Sequence, residues 1–396
     1  YFIFFKKKPS KKVADILKRN IPDILSSIKW KKSMRWSAFN EKWIRPIKNI
    51  FCIFNNKKIS FKFAGISSDI YVFGNYQYSN KKQKCKNLNS YKKIMKDSKV
   101  ILNGDERKRI IYKQLENFCV LNKLKNEFDD RLVTKVSDSV EFPNLFIGKY
   151  DQTYFKLPNF LLKTIISDKQ DYFYFQKNDN ELENSFGFVS NKAKDKNKIL
   201  ISGNQKVLKA RFSDALFFIN EDRRLTLLDR VEKLKGIVFY DGVGNLFDKV
   251  HRIVVLTKII STRIGLKVED KTINELKIAL SDLSTEMVKE FPSLQGLVGG
   301  YYASLEGFKS EVCLAISQQY FTNFSNSENN KLSFCLSLAQ KMDNIFGFFL
   351  SQKKLTGAGD PYGLRRSVLS IIKISIEKEL NIDFSKIFDD CLGSLG

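Results

Sequence analysis

Residues 279–302 read ALSDLSTEMVKEFPSLQGLVGGYY, and the reading of this stretch decides the rest. Leu280, Leu283, Met287 and Phe291 recur at spacings of three and four, which puts them on one face of a helix. Ser284 stands where a helical turn can begin, with Met287 and Val288 behind it. Pro292 has no backbone N–H and blocks continuation. Gly296, Gly299 and Gly300 follow within five residues, and glycine lets a backbone turn sharply or approach a neighbour closely. The pattern predicts a helix–turn–helix corner in an all-helical core.

Toward the C-terminus the helical reading continues. Val250, Ile253 and Val254 share a face that Ile260 extends two turns on. Residues 311–320 predict another helix and residues 323–330 a polar loop. The string Thr356-Gly-Ala-Gly-Asp-Pro-Tyr-Gly-Leu-Arg-Arg366 predicts a tight loop that Asp360 caps, with Pro361 at the first helical position. It lacks the Lys-Ser/Thr of a nucleotide-binding P-loop. Arg365 and Arg366 come one turn later, and a brace to Asp360 or an RNA contact is open for them.

Toward the N-terminus the pattern is mixed. Val13, Ile16, Leu17, Ile21, Ile24 and Leu25 keep helical spacing, with a kink or break expected at Pro22. Ile50, Cys52 and Phe54 alternate, as do Ile59, Phe61 and Phe63, and Asn55-Asn56 between them predicts a hairpin turn. Residues 100–110 predict a strand leading into a helix that Asp105 caps, with Arg107, Lys108, Arg109 and Lys113 on its exposed side. Phe186–Asn191 predicts a strand ending in a turn, and residues 30–190 together an α+β domain with a substantial mixed sheet. Val207, Ala210, Phe212, Asp214 and Phe218 fall within one helix, where Arg211 and Asp214 are spaced for a local ion pair. Arg35 beside Trp36, and Trp43 near Arg45, set guanidinium next to indole. Such pairs stack on bases, or simply close a strand end.

The net charge of the 396 residues is +25, and residues 1–125 hold 31 Lys and Arg against 8 Asp and Glu. A surface this basic attracts phosphate chains. Two causes are open: contact with RNA, or the Lys-, Asn-, Ile- and Phe-rich bias of AT-rich coding. The six cysteines form no Cys-x-x-Cys pair, so free thiols in a reducing compartment are expected. His251 is the single histidine and no His-Asp dipeptide occurs, which removes the ligands a His-Asp-type metal hydrolase needs. No apolar run approaches the ~20 residues of a membrane helix. The opening Tyr-Phe-Ile-Phe-Phe, followed by three lysines and lacking an initiator methionine, reads as a fragment boundary.

The strings themselves add a resemblance. Residues 280–303, Lys32-Ser-Met-Arg-Trp36, residues 203–218, 236–252, 337–347 and 356–366 resemble, in order, motifs of the beta subunit of bacterial tetrameric glycyl-tRNA synthetase. Departures include Ser281, Ser293 and Val298 in the first string and Leu355 before the last; Asn75 and Lys169 stand where the family carries histidines. The resemblance implies an editing-like α+β domain of the phenylalanyl-tRNA synthetase type over residues 1–205 and an all-helical HD-like domain without a metal site over 206–396. It implies an internal segment lacking the family's initial part and anticodon-binding domain. It also implies a tRNA-binding subunit of glycine–tRNA ligase, in the cytoplasm, that positions tRNA(Gly) for an alpha subunit, with two alpha and two beta subunits. ATP and Mg belong to the alpha subunit; no cofactor, metal or catalytic residue is expected in this chain. The candidates for RNA contact are Arg35, Trp36, Arg45, Arg107, Arg109, Arg211, Arg223, Arg224, Lys249, Arg252, Arg365 and Arg366. A hydrolase, either HD-type or an editing deacylase, and a decayed copy are the alternatives.

Overall fold

The computed structural model describes residues 12–79, 81–324, 331–351, 360 and 362–395, with side chains to residue 390. The chain divides into two compact units: residues 1–154 with 163–208, and residues 155–162 with 209–396. Among the described residues no helix is long and apolar enough to cross a membrane.

The first unit is α+β, but its sheets are small. The largest are three-stranded: Asn144–Lys149, Glu181–Ser190 and Phe173–Asn178 pair antiparallel with Glu181–Ser190 in the middle, and Ile50–Phe51, Ile66–Asp69 and Lys62–Phe63 form the other. The substantial mixed sheet expected from the alternation is thus absent among the described residues. Turn residues interrupt the alternation every few positions, and most of the early strands are two residues long. Asn55 and Asn56 do form the hairpin turn, both at positive φ (47° and 60°), between Ile53–Phe54 and Lys57–Lys58.

Helices cover these strands. The Gly104–Asn122 helix buries Ile111, Leu115 and Cys119 against Val133 and Val136 of the Asp130–Ser139 helix and against Phe173 and Phe175. Its cap is Asn103, not Asp105: the Asn103 side chain accepts from the N–H groups of Asp105 and Glu106. Residues 100–103 are extended without a ladder, so the predicted strand is not formed. The Val13–Ser27 helix runs through Pro22 without breaking. Leu17, Ile21 and Leu25 hold it on a core of Ile59, Phe61, Phe63 and Ala64.

Among its described residues the second unit is mainly helical, with one small hairpin, Val238–Tyr240 with Gly244–Asn245. Its centre is the pair of helices Leu246–Arg263 and Lys331–Leu350. Val250, Ile253, Leu256 and Ile260 line the inner face of the first. Residues 310–318 form the helix expected there, and Arg211 and Asp214 stand 3.8 Å apart on theirs.

The 279–302 stretch is a corner, though not a helix followed by a turn. It is a chain of short segments: Ser281–Ser284, Glu286–Glu290, Pro292–Leu294 and Leu297–Leu305. Thr285 is extended and caps the second segment by accepting from the Val288 N–H at 3.1 Å. Leu280, Met287 and Phe291 are buried as their spacing implied. They do not share one continuous helix because the Thr285 cap and Pro292 interrupt it.

Candidate nucleic-acid interface

The basic N-terminal segment places its aromatic and cationic groups differently. Backbone bonds join Met34 and Trp43 in both directions (2.8 and 3.1 Å). The Trp43 ring then meets Trp30 and Phe63 edge-on, at 4.8 and 5.6 Å between centroids. Trp36 is half-buried against the Ile59–Ala64 core. Both indoles are therefore used in packing. Arg35 and Arg45 are exposed and have no ion-pair partner among the described residues, so their guanidinium groups are available to phosphates.

The Gly104–Asn122 helix corrects one expectation. Arg107 turns inward: its Nε donates to the Ser137 carbonyl at 2.8 Å and one terminal nitrogen to Ile101 at 2.7 Å, with Asp138 at 3.7 Å. It ties the start of one helix to the end of another. Arg109 stays exposed, its side chain bonded only to the Asp105 carbonyl. Lys108 is held by Asp130 at 2.7 Å.

In the second unit, Arg211, Arg223 and Arg224 are exposed. Arg224 also lines a cleft of about 570 Å3 with Arg230, Lys233 and Lys289. Arg224 pairs with Glu221 at 2.8 Å, a surface contact that phosphate can displace. Arg365 and Arg366 are exposed at the start of the Leu364–Glu377 helix, where Asp360 accepts the Arg366 N–H at 3.1 Å. The helix thus begins at Leu364 with Gly363 at its N-cap position, later than expected, and Asp360 reaches its first turn from three residues upstream of that cap. The glycine loop at 356–359 and Pro361 lie outside the described residues, as do residues 325–330 of the polar loop.

Lys249 and Arg252 are a second correction. Both are committed to Asp343: the Lys249 ammonium at 2.9 Å and the Arg252 Nε at 2.6 Å. The Lys249 ammonium also lies 4.0 Å from the centroid of the Phe239 ring. Lys249 and Asp343 are buried, and burial pushes the Lys249 ammonium down against the upward pull of Asp343. The group braces the hairpin onto the central helices. His251, next to it, is exposed and set edge-on to Phe247.

The residues that shape the corner are ones its periodicity did not single out. Asp282, fully buried, accepts the N–H groups of Gly296 (2.6 Å) and Gly299 (3.1 Å). Burial pushes its carboxyl up to about 6, while those two bonds pull the other way. Asp222 accepts the N–H groups of Glu286 and Met287 at 2.8 and 3.0 Å and the Tyr302 hydroxyl at 3.0 Å, and Arg230 lies 3.3 Å away. The available signal was an aspartate in each apolar string. Gly296 takes φ +85°, and Gly300 lies so near the Ser310–Gln318 helix that a Cβ would overlap Ser317 Oγ and the Cys313 carbonyl. The described cysteines are all free. Among the described residues no group of three or more His, Cys, Asp or Glu could hold a metal ion.

The described residues thus form an α+β chain with exposed arginines on its surface and with its buried charges spent on architecture. A family model described as the glycyl-tRNA synthetase beta subunit matches residues 1–395, and the chain belongs to that family. It is 34% identical over 390 residues to the glycine–tRNA ligase beta subunit of Rickettsia bellii and 33% identical over 390 residues to that of Rickettsia conorii. It is 34% identical over 392 residues to that of Rickettsia felis. Each alignment covers 98% of this chain and 58% of the relative.

Proposed function

We propose that this chain is the tRNA-holding part of a glycine–tRNA ligase beta subunit. It positions tRNA(Gly) for glycylation at an alpha subunit, which handles ATP and Mg2+. The observation that carries the reading is the family match along residues 1–395 of a chain with 31 basic against 8 acidic residues in its first 125. The match supports, by analogy, an editing-type ancestry for the first unit and an HD-like one for the second. It also supports an assembly of two alpha and two beta subunits in the cytoplasm. The exposed Arg35, Arg45, Arg109, Arg223 and Arg365 are the contacts we favour. Such contacts fix register on a phosphate backbone without reading bases.

The test is a titration of the chain against tRNA(Gly) at graded salt, with a parallel glycylation assay of the assembled ligase. Affinity should fall steeply with salt as counterions are released. Salt-insensitive or absent binding sinks the reading, as does an assembled enzyme that glycylates equally well with the exposed arginines replaced.

A further inference from the structure

The helical unit holds a cleft of about 570 Å3 whose cations come from several segments. That size takes a small ligand. Thr226 caps the Leu227–Lys233 helix by accepting the Asp229 N–H at 3.1 Å. This start sets Arg230 and Lys233 three residues apart on one face, and both line the cleft. Arg224 reaches it from just before that helix, and Lys289 from the Glu286–Glu290 segment. Glu221, Asp222 and Glu286 are its acids, so four cations meet three carboxylates.

The acids leave room for another anion. Glu221 pairs with Arg224 at 2.8 Å and Glu286 with Lys289 at 2.6 Å, and both of these cations are exposed. A phosphate displaces such pairs at little cost. Asp222 is buried and spent on the Glu286 and Met287 N–H groups and the Tyr302 hydroxyl. Lys233 is exposed and has no ion-pair partner among the described residues.

Arg230 is an independent sign of a ligand. It is only 4% exposed. Its terminal nitrogens are occupied: Nη1 donates to the Ser284 carbonyl at 3.1 Å and Nη2 to the Asp222 carbonyl at 2.7 Å. Its Nε is buried and donates to nothing among the described residues. A charged donor left without an acceptor inside a protein is costly, and native structures leave few of them. An oxyanion seated in the cleft supplies that acceptor. The apolar lining is Leu225, Ile237 and Leu283, which among the described residues gives a base no aromatic ring to stack on. The cleft therefore suits the phosphate of a ligand and not its base.

We propose that this cleft is a phosphate site, in which the Arg230 Nε donates to one phosphate oxygen and Arg224, Lys233 and Lys289 balance the charge. A free phosphomonoester and an RNA backbone share this chemistry, and only the second source rests on the tRNA reading.

Inorganic phosphate titrated into the full chain at constant ionic strength, against chloride, with phosphorus NMR line widths as the readout, tests it. Binding should saturate, and Arg224→Gln with Lys233→Gln should weaken it at least about tenfold. Both side chains are exposed, so the fold survives their loss, and an unchanged circular dichroism spectrum confirms it. Lys92→Gln with Lys93→Gln removes the same charge from an exposed helix face of the first unit and should change the affinity by less than about twofold. Binding that does not saturate, an undiminished affinity in the cleft variant, or an equal loss in the Lys92–Lys93 variant overturns the proposal. Added tRNA(Gly) assigns the source, and either result upholds the site: displacement of phosphate marks a backbone phosphate, joint binding a free phosphomonoester. Salt-dependent tRNA binding without saturable phosphate binding ends this proposal and leaves the tRNA reading standing.

Discussion

The two units treat charge in opposite ways. In the N-terminal segment, aromatic rings go inward and cations stay outside: Trp36 and Trp43 pack on the core while Arg35 and Arg45 face solvent. In the helical unit, charge goes inside. Asp222, Asp282 and Asp343 are buried and hold backbone, hydroxyl or cationic partners. Lys341 is buried on the Phe321 carbonyl and Ser337, and burial lowers its ammonium to about 8. A count of basic residues therefore does not locate an interface. What locates it is which cations lack an internal partner, and Lys249 shows how a family-string cation can be fully occupied at home.

The comparison can be broken most forcefully at Asp343. Asp343→Ala leaves Lys249 and Arg252 facing each other without a counter-charge, and should cost about 3–5 kcal/mol in chemical denaturation. A loss below about 1 kcal/mol would mean that the brace is not structural. Gly300→Ala forces apart two packed helices and should cost about 3 kcal/mol, read as a lowered thermal midpoint.

Asp282 gives a pH signature of about 2–3 kcal/mol. Its folded carboxyl titrates at about 6, above the ordinary carboxylate value, so the folded state holds the proton more tightly. That contribution is complete below about pH 4 and disappears as pH rises through about 6. Denaturation curves at pH 4.5 and 7.5 should show this component, and Asp282→Asn should flatten it; an unaltered pH profile would contradict it. The smallest effect on stability belongs to the other region. Arg35→Ala with Arg45→Ala should shift stability by less than about 0.5 kcal/mol, yet lower the salt slope of tRNA binding by about two. A large stability loss there would erase the contrast between the units.

Much of this was legible beforehand. The Asn55-Asn56 hairpin, the helical face of Val250, Ile253 and Ile260 and the burial of Met287 and Phe291 follow from local rules. The failures share a cause. Asp105 and Asn103 are both good caps, and local pattern alone does not rank them. Arg107 looks solvent-facing by spacing, yet the Ser137 carbonyl thirty residues on helps draw it inward. The 279–302 stretch keeps helical spacing while Thr285 and Pro292 divide it.

The sequence by itself determined the family, the basic first third and the absence of histidine ligands, because these depend on which residues are present and in what order. Tertiary structure alone decided which charges are free. An ion pair such as Lys249–Asp343 joins residues 94 positions apart, and its strength depends on burial, which no local spacing records. The glycines of the 279–302 corner show the same division. Their presence marks a turn, but only the fold shows that Asp282 holds two of their N–H groups and that the neighbouring helix leaves no room for a side chain at Gly300.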